Sequence, residues 1–215
     1  MTETAGTLPP IVALVIAYLA GSIPSAYLAG KWRGVDLRQH GSGNLGATNV
    51  VRVLGPKIGA AVFAVDILKG FLPVLVLPRY VVTAHPQWLA IALGVAAILG
   101  HVRPIFLLGK GGGKGVATAA GVFLGLAWLP MLIAFAAWLI VFLIWRYVSL
   151  ASLVAALTLP IAMLITGTPV THPVFGVAVV IMLFVFYTHR ANIGRLRRGE
   201  EHQFKRTPKT GGAAS

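Results

Sequence analysis

The sequence predicts an all-α integral membrane protein with seven transmembrane helices, its N-terminus outside the cell and its C-terminus in the cytoplasm. Three observations carry that expectation. The chain is 57% hydrophobic and only 11% charged, with a mean hydropathy of +0.85, which a soluble globular domain does not have. Apolar runs recur along its whole length, so one membrane domain accounts for it. Cations gather between alternate runs, so one face of the membrane receives nearly all of them.

A transmembrane helix needs roughly 20 apolar residues. The first run covers residues 9–30. The preceding MTETAGTLPP carries Glu3 and no cation, and no cleavage signal follows, so this run reads as a retained helix and not as a secretory leader. Four further comfortable runs cover 55–77, 87–108, 148–167 and 173–189. From Gly115 to Trp145 the apolar stretch is long for one span and short for two. It reads as a tight hairpin, 115–129 and 131–146, turning near Pro130, because proline removes a helix hydrogen bond. From about Glu200 the tail EEHQFKRTPKTGGAAS is polar and reads as flexible. The chain therefore divides into a membrane domain, 1–199, and a tail, 200–215.

Seven helices put the termini on opposite sides, and the cations decide which side is which. Lys31, Arg33, Arg38, Arg52 and Lys57 fall on or beside the first loop; Arg103, Lys110 and Lys114 surround the third. Arg146 ends the fifth helix, and the tail carries Arg190, Arg195, Arg197, Arg198, Lys205, Arg206 and Lys209. The opposite face keeps only Arg79, and Lys69 lies inside a span. By the positive-inside rule the cation-rich face is cytoplasmic. Such an excess, 18 Lys and Arg against 5 acids, reports orientation and contact with anionic membrane lipids. No soluble module is left to bind nucleic acid. The absence of cysteine excludes disulfides, thiol catalysis and thiolate metal sites.

Three cytoplasmic segments carry the chemistry. In RGVDLRQHGSGNLGATNVVRVLG, Gly41, Ser42, Gly43, Asn44 and Gly46 expose backbone N–H groups that can form an anion-binding nest. Thr48 and Asn49 then lead into a helix, with Arg52 ten residues after Ser42. An isolated GSGN would be an ordinary polar turn; Arg52 and a second glycine loop on the same face favour an anion site. That second loop reads GKGGGKGV: Lys110, Gly111, Gly112, Gly113, Lys114 and Gly115 precede a helix whose N-terminus favours phosphate. It is not a Walker A loop, because Leu108 stands where the first glycine is needed. The bland alternative is a basic loop anchored to lipid head groups. The third segment, YTHRANIGRLRRGEE, places His189 and Asn192 three apart, on one face of a continuing helix, with Arg190 and Arg195 adding charge. A stop-transfer tail explains Arg197 and Arg198 but not the histidine and asparagine. Histidine there can act as base, orienter or donor.

Asp66 and Lys69, spaced i,i+3, read as a structural ion pair inside a span, and His101 reads as a cap on the end of its helix. No DxD or HExxH arrangement occurs, so neither a metal hydrolase nor a Mg2+-dependent phosphotransferase is supported, and the His-x4-Asp acyltransferase dyad is absent as well. The site must work by gripping and positioning anions.

GSIPSAYLAG with HGSGNLGATNVVRVLG, then GHVRPIFLLGKGGGKGVAT, then HRANIGRL together resemble the bacterial acyl-phosphate:glycerol-3-phosphate acyltransferase (PlsY) family, over about 20–201. DILKG, from Asp66 to Gly70, fits as well. The resemblance implies a seven-helix enzyme of the bacterial inner membrane, needing no cofactor, whose active site faces the cytoplasm. It would transfer an acyl group from acyl phosphate to glycerol 3-phosphate, giving lysophosphatidic acid and phosphate. By motif position Ser42, Arg52 and the glycine loop with its lysines would bind phosphate, and His189 and Asn192 would lie at the reacting centre. Ser42, Arg52, Lys114, His189 and Asn192 are then the catalytic set. Gly41, Gly43, Asn44, Thr48, Asn49, Lys110, Gly111, Gly112, Gly113, Gly115 and Arg190 complete the substrate contacts. The family pattern has two glycines between its lysines where this chain has three, so Lys114 keeps step with it and Lys110 stands one residue out.

Two rivals use the same cations. A transporter for a phosphorylated anion should show internal repeats and broken mid-membrane helices, and no repeat is visible. A CDP-alcohol-type transferase needs more acids than the chain supplies.

Overall fold

A computed structural model describes residues 8–204. Residues 1–7 and 205–215 lie outside that range, and with them Lys205, Arg206 and Lys209. Every regular element among the described residues is helical. The α-helices in chain order are α1 (Pro10–Ser22), α2 (Ser25–Trp32), α3 (Ala47–Leu54), α4 (Pro56–Val76), α5 (Pro86–Val102), α6 (Val116–Leu126), α7 (Trp128–Trp145), α8 (Val148–Ile165), α9 (Pro173–Thr188) and α10 (Arg190–Arg197), with short 3-10 helices at Leu77–Tyr80 and Ile105–Leu107. Helices α1, α4, α5 and α9 each open on proline, whose missing N–H would have no intrahelical partner there.

Five segments are long and apolar enough to cross a membrane: Pro10–Trp32, Pro56–Tyr80, Pro86–Leu107, Trp128–Trp145 and Val148–Ile165. Helices α9 and α10, bent by 59° at His189, make a sixth if the pair is one crossing. Helix α6 is apolar but has only 11 residues, about 16 Å of rise against a hydrocarbon core of about 30 Å. The protein is thus a multi-pass helical membrane protein. The stretch from 115 to 146, expected to turn near Pro130, is broken into α6 and α7 at Ala127, whose φ −155° and ψ 67° are not helical. Pro130 falls in the first turn of α7, where proline is tolerated, so the break comes before it.

Small residues bring the helices together. A Cβ at Gly21 of α1 would sit 2.0 Å from the Ala97 carbonyl oxygen of α5, and one at Gly100 of α5 would sit 2.2 Å from that of Tyr18. Helices α4 and α6 meet the same way: a Cβ at Gly70 would lie 2.1 Å from the Thr118 carbonyl, and one at Gly121 2.0 Å from that of Ile67. In lipid, where apolar contact alone does not drive association, such close backbone approach supplies the packing energy. Phe123, Met131, Leu159 and Met163 fill the interior beside this seam, drawn from α6, α7 and α8.

The expected Asp66–Lys69 pair is formed, at 2.8 Å and almost fully buried. Ser25 Oγ donates to Asp66 Oδ1 at 2.6 Å. Lys69 Nζ also donates to the Ile23 carbonyl at 2.9 Å, in the break between α1 and α2 where Pro24 interrupts the helix. The pair therefore ties α4 to that break.

Contacts sort the loops to two ends of the bundle. At one end the Leu8 amide donates to the Tyr80 carbonyl at 2.7 Å, and Gln87 bonds His172 at 2.8 Å. At the other, Lys114 meets Asn192, Arg52 meets His202, and Phe204 meets Arg146. The cation-rich loops share this second end.

Candidate active site

A cavity of about 250 Å³ opens where the first turns of α3, α6 and α10 converge. Its walls include Ser42, Asn44, Thr48, Asn49 and Arg52 from the first loop and α3, and Lys114 and Gly115 from the glycine loop. His189, Asn192 and Arg195 come from the α9–α10 bend, and Glu201 from the segment after α10. Neither α3 nor α6 has a side-chain cap, and each is preceded by a glycine, Gly46 or Gly115. The first residues of both helices line the cavity, where their amides have no intrahelical partner and both helix dipoles present their positive ends. With Arg52, Lys114 and Arg195 on the same walls, the cavity gathers groups that attract an anion.

The first loop is shaped by Asn49, which is only 1% exposed. Its Oδ1 accepts from the Ser42 amide at 2.8 Å, and its Nδ2 donates to the Leu37 and His40 carbonyls at 3.1 and 3.0 Å. A Cβ on Gly41, at φ +63°, would meet that Oδ1 at 2.2 Å, which is why glycine stands there. Asn49 therefore fixes Ser42 at the rim, its own polar atoms being spent on backbone. Gly41 and Gly43 support this turn without lining the cavity.

The glycine loop divides its residues differently from the expectation. Lys114 enters the cavity and donates to Asn192 Oδ1. Lys110 is exposed and does not line it, and neither do Gly111, Gly112 and Gly113. These glycines serve closeness: a Cβ on Gly112 would lie 2.1 Å from the Val102 carbonyl, and one on Gly113 2.3 Å from His101 Nε2. They press the loop onto the end of α5 and so deliver Lys114.

Burial pushes the Lys114 ammonium down to about 8; Glu201 opposes the fall, and Arg195 and Arg52 add to it. Burial also lowers Arg52, again against the pull of Glu201. For Glu201 burial acts upward, yet hydrogen bonds from Asn192, Arg195 and Ser149 outweigh it and hold the carboxyl below its usual range. It accepts from Asn192 Nδ2 at 2.7 Å and Ser149 Oγ at 2.9 Å on one oxygen, and from Arg195 Nε at 2.7 Å on the other. Lys114, Asn192, Glu201 and Arg195 thus form one continuous network.

His189 is 4% exposed and stands between α9 and α10. Its Nδ1 lies 2.8 Å from the Val185 carbonyl, so that nitrogen carries the proton and Nε2 is left as the acceptor. Arg190 turns away, donating to the Tyr187 carbonyl at 3.1 Å and stacking over the Tyr187 ring. The cavity is continuous with a narrower apolar groove: Phe63, Val116, Ala117, Trp138 and Ser152 line both, and Phe123, Phe135, Leu159 and Met182 line the groove alone.

The family model described as "Glycerol-3-phosphate acyltransferase" matches residues 11–199. The chain belongs to the glycerol-3-phosphate acyltransferase family. It is 45% identical over 191 residues to the glycerol-3-phosphate acyltransferase of Aquifex aeolicus (strain VF5), covering 89% of this chain and 97% of that one. It is 47% identical over 196 residues to that of Geobacter sulfurreducens (strain ATCC 51573 / DSM 12127 / PCA), covering 91% and 97%. Among solved structures it is similar to PlsY (YgiH), an integral membrane glycerol 3-phosphate acyltransferase, in its glycerol 3-phosphate form. That likeness has TM-score 0.83 at 43% identity, over 91% of this chain and 96% of the other. The lysophosphatidic acid form of PlsY gives TM-score 0.80 at 42% identity, over 91% and 95%.

Ser42, Arg52, Lys114, His189 and Asn192 all fall inside the acyltransferase family match, and the fold gathers all five around one cavity. Glu201 lies two residues beyond it. The polar tail gave no sign of that carboxylate's role, because nothing nearby distinguishes it from Glu200, which is exposed and paired with Arg198. His101, expected as a helix cap, also reaches the cavity wall, its Nδ1 3.7 Å from Asp66 Oδ1.

Proposed function

We propose that this membrane protein transfers an acyl group from acyl phosphate to the 1-hydroxyl of glycerol 3-phosphate, releasing lysophosphatidic acid and phosphate. The observation that carries the reading is the joining of a cationic, amide-lined cavity to an apolar groove: one holds phosphates, the other an acyl chain. The glycerol oxygen attacks the acyl carbonyl carbon, the carbon–oxygen ester bond forms, and the bond to the leaving phosphate breaks. The hydroxyl proton ends on phosphate, a substrate-assisted transfer that needs no metal or cofactor. Arg52, Ser42, Lys114 and the first amides of α3 and α6 grip the anions. His189 Nε2 accepts from the attacking hydroxyl and orients it, and Asn192 keeps Lys114 aimed. Positioning of this kind supplies ~7–11 kcal/mol of a reaction barrier, and well-placed donors a few more.

Seven crossings, with α6 as the fourth, put the cavity on the cytoplasmic side of a bacterial inner membrane and the N-terminus outside. The separation of cation-rich loops from the end that holds Arg79, Gln87 and His172 supports that orientation.

Purified protein supplied with acyl phosphate and glycerol 3-phosphate should release phosphate in step with lysophosphatidic acid. A strict need for acyl-CoA, or no product at all, overturns the donor assignment. Passage of glycerol 3-phosphate into sealed liposomes without acylation would favour a transporter.

A further inference from the structure

After α10 the chain does not leave the bundle. Glu201 is anchored in the network above, Gln203 Nε2 donates to the Trp145 carbonyl at 3.1 Å, and the Phe204 amide donates to the Arg146 carbonyl at 3.0 Å. The segment so pinned bridges α10 and the α7–α8 corner and crosses Arg52 of α3. The Phe204 ring stands edge-on to Phe142, centroids 5.8 Å apart at 75°. On its face lies the Arg52 guanidinium, 5.4 Å from the ring centroid. Arg52 Nη2 also approaches the His202 carbonyl at 3.4 Å, and no ion pair among the described residues involves Arg52.

We propose that Phe204 is a positioning residue: its ring holds the Arg52 guanidinium in its cavity-facing rotamer before phosphate arrives. The inference rests on the reading of Arg52 as a phosphate grip. An arginine side chain has many rotamers, and ordering it on binding costs affinity. A carboxylate partner would fix it but would also compete with phosphate for its charge and its donors. An aromatic face attracts the cation through the ring quadrupole and leaves the N–H groups free. Phe204 is itself immobilised by Phe142 and the α7–α8 corner, so it can act as a fixed stop. It lies five residues beyond the family match, which ends at 199.

The test compares wild type, Phe204→Leu, Phe204→Tyr, Phe204→Ala and Arg52→Ala as purified full-length proteins in detergent. Glycerol 3-phosphate affinity is read by equilibrium binding, and KM and kcat by turnover with acyl phosphate. Phe204→Leu keeps apolar contact with Phe142 but has no π face. It should weaken binding and raise KM by about three- to tenfold, with kcat within about twofold of wild type. Phe204→Tyr should bind as wild type. Wild-type affinity in Phe204→Leu, or a loss confined to kcat, overturns the proposal. If Phe204→Ala does not fold, the leucine and tyrosine variants decide. Arg52→Ala separates the two readings. Wild-type binding there removes the phosphate grip itself, and the proposal with it. Weak binding there beside normal binding in Phe204→Leu removes only the positioning role.

Discussion

The Asn192 side-chain amide donates to Glu201 at 2.7 Å, and this one bond fixes which way round the amide sits. With its nitrogen committed to Glu201, its oxygen must face Lys114. Glu201, buried to 3% side-chain exposure beside Arg195, therefore orients a lysine that it does not touch. Glu201→Ala would leave Ser149, Asn192 and Arg195 without their acceptor. A buried donor left without its acceptor costs about 1–3 kcal/mol, so this variant should melt measurably below wild type in detergent. Glu201→Gln keeps the shape but turns one of the two acceptor oxygens into an NH2 donor that faces another donor, and should fall between it and wild type. Thermal unfolding of both variants beside wild type checks the order.

Lys114 sets the expected pH dependence. Its folded pKa of about 8 lies below the ordinary 10.5, so the empty site loses its cation as pH rises through 8. KM for glycerol 3-phosphate, measured from pH 7 to 9.5, should rise above pH 8 by up to about tenfold per unit. An anion that binds pulls the proton back on. Stability runs the other way. Between about 8 and 10.5 the unfolded chain holds the extra proton, so this group makes the fold relatively more stable as pH rises. Lys114→Arg keeps its charge and should flatten the KM profile. Lys110→Ala, outside the cavity, should change KM less than twofold at any pH.

His189 donates through Nδ1 to the Val185 carbonyl, which leaves Nε2 as the free ring nitrogen. Glutamine places a polar, non-basic atom near the Nε2 position. If Nε2 orients the hydroxyl while phosphate takes the proton, His189→Gln should keep kcat within about tenfold and His189→Ala should lose 10²-fold or more. Equal losses of that size in both would make His189 the base. Single-turnover rates at saturating glycerol 3-phosphate give the comparison.

The absence of cysteine makes topology directly measurable. With seven crossings, a cysteine at Thr83 or Thr171 should react with a membrane-impermeant maleimide added to intact cells. One at Gly34 should react only after the membrane is opened. Reaction at Gly34 from outside would invert the assigned orientation.

The local segments that announced the site were those whose composition was odd for their place: glycines and lysines between apolar runs, and a histidine and asparagine in a basic tail. Ser42, Arg52, Lys114, His189 and Asn192 were legible for that reason. Glu201 was not, because its burial depends on Ser149, 52 positions earlier, and on the bend at His189 that turns α10 back. Lys110 and Lys114 look alike in the sequence; the close seating of Gly112 and Gly113 on α5 separates them. The lengths of the apolar runs located the long spans but not the corner at Ala127, since proline is welcome on the first turn of the helix that follows.

The Asp66–Lys69 pair bears on how the chain enters the membrane. Two charges within α4 would oppose its release from the insertion machinery into lipid, but an i,i+3 pair can neutralise itself on the helix as it emerges. The other groups that hold it, the Ile23 carbonyl and the Ser25 hydroxyl, are synthesised some 40 residues earlier. They are already in place when α4 arrives, whereas His101 comes afterwards. Chain order thus matches the order in which the buried charges need partners: those on the first span are already synthesised when α4 emerges.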